Sequence, residues 1–344
     1  MAARFVPGKP LLYQLLFLSC LANLPTLAGE PFRLPTANQF LFEKGAEDKF
    51  LAPTPGKDWV TGSFGCVRSD GNQMHEGLDI RSLQRDRRGE PTDPVMATAD
   101  GTVMYFNTKA ALSNYGKYIV LRHMVDGLEV YSLYAHLQEI GAGLRVGQTV
   151  KSGEVIGLMG RTSNTSETIT KDRAHVHFEL NLFYSDHFNT WFQRNNPKEK
   201  NDHGLWNGQN LGGLDPRLVL LAEHQEGGRF NLLTWLQRQP EFCRVLVRKT
   251  DLLFARRYLA LVAPNSLAQQ KGVAGYEIAL DYNGVPIRLI PRAAEELHGL
   301  AGYQLLSVNE ELYNKCNCRK LVRRTLGRFQ LAPNGRKLLD LLTE

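Results

Sequence analysis

Cysteine is scarce in this sequence, five in 344 residues. Cys316 and Cys318 stand without a second cysteine pair or a nearby histidine, which excludes a thiolate zinc cage. Beyond residue 29 no apolar run is long enough to cross a bilayer, so the mature chain has no membrane span. Over residues 1–222 neither sign of charge is in excess, with 23 Lys+Arg and 23 Asp+Glu, and the net charge of +6 comes from residues 223–344, with 18 against 12. Such a basic region can hold an anionic polymer or lipid by Coulomb attraction, although a solvated face is the commoner reason for the imbalance. There is no internal repeat either: residues 258–262 and 303–308 echo one another only faintly.

What stands at the start is an export layout. Arg4 and Lys9 precede an apolar run over residues 11–22, followed by Asn23, Pro25 and the small residues Thr26, Ala28 and Gly29. This predicts a secretory signal peptide over residues 1–28, cleaved after Ala28 or Gly29. The mature protein is then periplasmic or at the cell surface, which disfavours nucleic acid as a partner. Lipid anchoring through Cys20 is disfavoured, because Phe17-Leu18-Ser19 ahead of it suits a lipidation enzyme poorly. Removing Cys20 leaves Cys66, Cys243, Cys316 and Cys318, an even set that an oxidising compartment can pair in three ways.

With 43% hydrophobic residues the composition is ordinary for a globular protein, and the length allows two domains. Residues 29–58 read as an irregular lead-in, interrupted by Pro31, Pro35, Pro53 and Pro55. From Trp59 short strands alternate with turns: two strands about Asp100-Gly101, an adjacent pair over 118–123 and 130–137, and glycine-punctuated strands over 146–157. Regular spacing of this kind predicts a mainly β, antiparallel domain over residues 59–222. After Asp215-Pro216 the pattern changes. Residues 223–344 read as a smaller mixed α+β region: a helix over 230–237, a hairpin over 276–289 about Asn283-Gly284, a short basic helix over 319–326, and a last helix after Pro333-Asn334-Gly335.

Strand side chains alternate between faces. In Ala174-His175-Val176-His177-Phe178-Glu179 both histidines therefore share one face, and Val176 and Phe178 point into a core. The same rule puts His75, Gly77 and Asp79 on one face, with Leu78 and Ile80 on the other. Two of these three imidazoles plus the carboxylate make a three-ligand set for catalytic Zn²⁺, whose fourth position stays open to water. A lone histidine is more often a surface or hydrogen-bonded core residue, and the chain has nine; these stand out because both pairs obey strand alternation. Glu76 falls on the opposite face and reads as solvent-facing or structural. Glu179 shares the histidines' face and reads either as a partner that orients one of them or as an exposed strand-end carboxylate.

Five separated motifs then occur in one order: His75-x-x-x-Asp79; Gly116-Lys117-Tyr118-Ile119-Val120-Leu121-Arg122-His123; Tyr134-Ala135-His136-Leu137; the Val-Gly-Gln-Thr-Val-Lys-Ser-Gly-Glu-Val-Ile-Gly run from Val146 to Gly157; and His175-Val176-His177-Phe178-Glu179. In this order they resemble the lysostaphin-type zinc endopeptidases that cut peptidoglycan peptides, over residues 59–182. The resemblance implies a two-layer antiparallel β fold with a groove, of the duplicated hybrid motif type. It assigns His75, Asp79 and His177 to one zinc ion and makes His136 and His175 the catalytic, non-ligand histidines. His123 is read as structural.

The chain departs from that family near the groove. Residues 83–90 insert a charged segment after Asp79, and residues 161–173 replace a short Gly-rich turn with a longer polar one. Arg85, Arg87, Arg88, Lys171 and Arg173 could bind stem-peptide carboxylates, with exposed loop charge as the favoured alternative. Residues 184–213, with Trp191, Phe192 and Trp206, either overhang the groove or connect to the next region. The reading that follows is an exported zinc metalloendopeptidase acting on peptidoglycan cross-links or stem peptides. Its alternatives are a silent or autoinhibited relative that binds wall or activates a wall amidase, and a peptidase of Gly-rich proteins.

Overall fold

The computed structural model describes residues 31–165 and 169–344. The expected signal peptide, its cleavage point and Cys20 lie outside the described residues. The element that decides the architecture is the strand with the most thorough burial, His175–Phe183, in which all nine residues are buried. Its two faces meet different surroundings: Val176, Phe178, Leu180 and Leu182 enter the main core, whereas Phe183 joins a smaller cluster with Tyr118, Tyr131 and Leu211. Cover on both faces is why this strand carries a continuous buried run.

The strands follow in chain order. β1 (Gly65–Arg68) and β2 (Gln73–His75) form a two-stranded ribbon. β3 (Leu78–Arg81) pairs with the first half of the central strand. β4 (Pro94–Met96), β5 (Gly101–Asn107), β6 (Lys117–Val125), β7 (Leu128–Leu137), β8 (Glu139–Ile140), β9 (Thr149–Val150) and β10 (Val155–Leu158) lead to the central strand, β11, and then to β12 (Leu211–Leu214). The large sheet runs β12-β11-β7-β6-β5-β9 with β3 beside β11, and β4-β10-β8 makes a second, smaller sheet. Every one of these pairings is antiparallel.

Two local expectations change. The stretch read as one strand through His75 and Asp79 is two, because Glu76-Gly77 carries the chain from the ribbon into the large sheet. Glycine is required there, since a Cβ on Gly77 would lie 2.3 Å from the Phe178 carbonyl oxygen. The strands flanking Asp100-Gly101 do not pair with each other: β4 pairs with β10, and β5 with β6 and β9. Asp100 is instead committed to the turn before β10, accepting from Ser152 N and Lys151 Nζ, both at 2.8 Å.

The C-terminal region is α+β. Its sheet has the order β15-β14-β13-β16, built from β13 (Cys243–Val247), β14 (Gly275–Leu280), β15 (Pro286–Arg292) and β16 (Tyr303–Val308). The β14–β15 hairpin about Asn283-Gly284 and a helix at Leu232–Gln237 are as expected. The basic helix expected over 319–326 is not. Val322–Thr325 and Arg328–Leu331 are strands β17 and β18 of a hairpin, and its turn holds Leu326 and Gly327 at φ +49° and +78°, the left-handed pair that a tight hairpin turn uses. Residues 258–262 and 303–308 differ in structure, a 3-10 turn against a strand, so their echo has no structural counterpart. Three longer helices are α1 (Phe188–Asn195), α2 (Pro216–Glu226) and α3 (Pro333–Thr343).

The two regions share one core, a single cluster of buried residues from Phe32 to Leu342. Tyr258 Oη accepts from Phe183 N at 2.7 Å, Asn283 Nδ2 donates to Gly213 O at 2.8 Å, and a disulfide joins Cys66 to Cys318 across 252 residues. Cys243 and Cys316 are free thiols.

The β14–β15 turn carries a measurable consequence. Asp281 Oδ1 accepts from Asn283 N at 2.9 Å and Val285 N at 2.8 Å, yet burial outweighs these bonds and raises the carboxyl to about 7. The native chain then holds a proton that the unfolded chain, with a carboxyl near 4, has released, so stability falls as pH rises from about 4 to about 7. Asp281→Asn keeps an acceptor at that position and removes the slope, raising stability at pH 8 by about 2–4 kcal/mol. Urea unfolding at pH 5 and pH 8 measures this, and equal slopes in both proteins would refute it.

Candidate active site

His75 ends β2, Asp79 lies in β3, and His177 lies in β11 directly opposite Asp79 in the strand register. All three are buried, and their inward atoms form a near-equilateral triangle: His75 Nε2 to Asp79 Oδ1 3.1 Å, His177 Nδ1 to Asp79 Oδ1 3.0 Å, His75 Nε2 to His177 Nδ1 3.1 Å. The outward ring nitrogens fix the tautomers. His75 Nδ1 faces the Ser63 carbonyl at 2.7 Å and His177 Nε2 faces Glu179 Oε1 at 2.9 Å; both partners only accept, so the N–H groups must lie on those sides. Two imidazole lone pairs and a carboxylate oxygen therefore point at one small volume, which demands a positive charge. A proton can supply it: burial alone would lower His177, but the carboxylates of Asp79 and Glu179 outweigh it and hold the ring at about 10. A metal can supply it better. Zn–N and Zn–O bonds of about 2.0–2.2 Å need tetrahedral donors about 3.3–3.5 Å apart, close to the observed triangle, so the residues fit the ion.

His175 and His136 complete the constellation. Their rings lie 4.9 Å apart, and His136 is 6.0 Å from His177, centre to centre. His175 Nδ1 donates to Arg173 O at 2.5 Å, and His136 Nδ1 to Thr162 O at 2.8 Å, which leaves each Nε2 as an acceptor. Burial, more than any neighbour, lowers both: His175 to about 4, and His136 well below the usual histidine range with help from His175 and His177. Both rings are neutral at working pH. His136 owes its direction to a β-bulge, since the β6–β7 register shifts between Lys117 and Ile119 and His136 takes φ +60°. A non-glycine residue there stores on the order of 1 kcal/mol of strain, and bulges re-aim side chains in this way.

Glu179 is a histidine partner and not an exposed carboxylate, being 1% exposed. Besides His177, its carboxylate accepts from Tyr115 Oη at 2.6 Å and Asn181 Nδ2 at 2.9 Å. Glu76 is partly exposed at the rim, 3.8 Å from Arg319. His123 is a core residue, bridging the Asp100 carbonyl and Ser132 Oγ at 2.9 and 2.7 Å. Sequence reasoning missed Tyr115, the Ser63 carbonyl and Arg68, whose Nη2 lies 2.5 Å from Asp79 Oδ2. None of them belongs to a ligand-like spacing.

The site opens into a cleft of about 1160 Å³. One wall is the C-terminal region, through Arg319, Leu321, Lys337, Leu338 and Leu341. Residues 184–213 contribute Asn207, Gly208 and Gln209 beside Tyr115, while α1 braces that wall through Trp191 Nε1, which donates to Lys337 O at 2.9 Å. The inserted loops hold each other: Glu90 pairs with Arg161 at 2.8 Å and Lys171 at 3.3 Å, and Arg85 donates to Lys171 O. Arg87 and Arg88 stay exposed.

Comparison with known proteins bears on the same stretch. Residues 73–190 match the profile of Peptidase family M23. A Haemophilus influenzae protein described as an uncharacterized metalloprotease is 34% identical over 108 residues, which cover 31% of this chain and 18% of that protein. The match thus spans less than a fifth of that relative. Among solved structures, the catalytic domain of the antimicrobial peptidase lysostaphin from Staphylococcus simulans is 25% identical, covering 35% of this chain and 74% of that one, with a TM-score of 0.25. A zinc containing peptidase from Vibrio cholerae is 25% identical, covering 39% and 37%, with a TM-score of 0.26. The stretch that matches Peptidase family M23, residues 73–190, is the one that carries His75, Asp79, His136, His175 and His177.

Proposed function

We propose that the protein is an exported zinc endopeptidase that hydrolyses peptide bonds in peptidoglycan cross-links or stem peptides. The observation that carries the reading is the convergence of three acceptor atoms within 3.1 Å of one another, beside two further imidazoles, at the floor of an open cleft. His75 Nε2, Asp79 Oδ1 and His177 Nδ1 would hold Zn²⁺, which would supply Lewis-acid chemistry toward the scissile carbonyl and its attacking water near neutral pH. The chain's own residues do the rest. His136 and His175, each anchored by Nδ1–H on a backbone carbonyl, present neutral Nε2 lone pairs that align the attacking water. One of them takes its proton, and the resulting imidazolium, disfavoured by burial, is a strong acid toward the leaving amine.

The match of residues 73–190 to a peptidase family supports hydrolysis of peptide bonds, and the resemblance of the five ordered motifs to lysostaphin-type zinc endopeptidases supports the wall substrate and the ion. Digestion of purified peptidoglycan with and without a chelator, read by mass spectrometry, tests the whole. New peptide termini that vanish on chelation and return with Zn²⁺ are expected. Intact peptidoglycan in the presence of zinc-loaded protein contradicts the proposal and turns attention to the regulatory alternative.

A further inference from the structure

We infer that Arg68 is a positioning residue for the metal site: it holds the second oxygen of Asp79, so that Asp79 serves as a one-oxygen ligand and the open coordination position stays open. The inference rests on the zinc reading above. The geometry divides the carboxylate in two. Oδ1 faces His75 Nε2 and His177 Nδ1 at 3.1 and 3.0 Å, while Oδ2 accepts from Arg68 Nη2 at 2.5 Å. The pair is largely shielded, with side-chain exposures of 17% for Arg68 and 3% for Asp79, where a charge-assisted hydrogen bond is strongest. A buried carboxylate oxygen does not stay unpaired. Without the guanidinium, the nearest positive charge for Oδ2 is the metal itself, and a carboxylate can close onto an ion through both oxygens.

The backbone that delivers Arg68 is fixed from outside the family domain. Arg68 ends β1, at a bulge between Cys66 and Arg68 in the register with β2. Two residues upstream, Cys66 is joined to Cys318 of the C-terminal region, and the adjacent Arg319 reaches Glu76, between the two ligands His75 and Asp79. Arg68 Nη2 also lies 3.1 Å from His75 Nε2. Its charge therefore opposes the ion while its hydrogen bond orders the ligand, so metal affinity is a poor reporter of its role. Coordination number is the direct one.

Visible absorption of the Co²⁺-substituted full-length protein reports that number, because four-coordinate Co²⁺ absorbs several-fold more strongly than five-coordinate Co²⁺. Arg68→Met keeps the apolar stem and removes the donor; Arg68→Lys restores a charge near Oδ2. We expect Arg68→Met to bind one equivalent of metal with a several-fold weaker Co²⁺ band and a kcat lowered about 10–100-fold, the range seen when such ligand partners are lost. Arg68→Lys recovers part of both. A wild-type band in Arg68→Met overturns the inference while leaving the zinc reading intact, as does an Arg68→Lys band no stronger than that of Arg68→Met. Wild-type protein that takes up neither Zn²⁺ nor Co²⁺ overturns both. Should Arg68→Met fail to fold, Arg68→Leu, which also removes the donor, takes its place, and a wild-type band in that variant overturns the inference.

Discussion

His177→Ala is expected to lose bound zinc and all peptidase activity, whereas His136→Ala keeps stoichiometric zinc and loses activity. The contrast follows from which nitrogen points where. His177 contributes one corner of the triangle and sits opposite Asp79 in the β3–β11 register, so its removal leaves two donors, too few to hold the ion against solution chelators. His136 lies beyond the triangle, with its Nδ1 on the Thr162 carbonyl, and removing it takes away a proton acceptor and no donor. General acid–base groups contribute about 10²–10⁴-fold, so the His136→Ala rate should fall by that much at full zinc occupancy. Metal analysis and peptidoglycan digestion on the same preparations check it; zinc-free His136→Ala protein would reverse the two roles. The same geometry sets a pH dependence. Because Asp79 and Glu179 hold His177 up at about 10, metal entry has to displace its proton, and lower pH favours the proton. Apparent zinc affinity should fall by about tenfold per pH unit between pH 8 and pH 6. A flat profile would mean that His177 carries no proton in the metal-free protein.

A chain ending at residue 222 is expected not to fold. The family domain would then be missing one side of its core, not a detachable appendage. Phe64 loses its edge-on contact with Tyr282, Tyr184 loses Phe254, Phe183 loses the Arg257 guanidinium over its ring, and Trp191 loses α3. Exposing a large apolar side chain costs about 1.5–3 kcal/mol, so four of them cost about 6–12 kcal/mol, comparable to the whole stability of about 5–15 kcal/mol that a domain has. Lost as well are the Cys66–Cys318 bond, the Asn283 amide that donates to Gly213 O, and the Glu223 carboxylate that accepts from Phe32 N at 2.8 Å. Insolubility, or a soluble fragment without a cooperative thermal transition, is the expected result. A fragment of residues 31–222 that binds zinc and melts cooperatively would show that the C-terminal region is separable.

The sequence by itself determined the chemistry of the site and the strand content around it. His175 and His177 share a face and Val176 and Phe178 the other because β11 is a regular strand, and alternation is a local property that needs no partner. Residue type placed Asp79 with three candidate histidines, His75, His175 and His177, and the family resemblance chose His75 and His177 among them. The hairpin at Asn283-Gly284 was legible because turn residues act on their own backbone; the last helix was legible too, but it starts at Pro333, three residues earlier than expected, because proline suits the first helical turn. Only the tertiary structure decided what depends on distant chain. The β2–β3 break at Gly77 comes from the close passage of β11; the fate of Asp100 comes from Ser152 and Lys151. His136 is aimed by a bulge whose register is set between two strands. The hairpin at Val322–Leu331 replaced an expected helix because its arginines are exposed in either state, leaving no periodicity to separate the two. Cys66 meets Cys318 across 252 residues, and Arg68 reaches Asp79 through the β1–β2 ribbon, neither of which any local pattern announces. Local pattern names the reacting groups, whereas long-range packing orders the second oxygen, the bulge and the wall that make them a site.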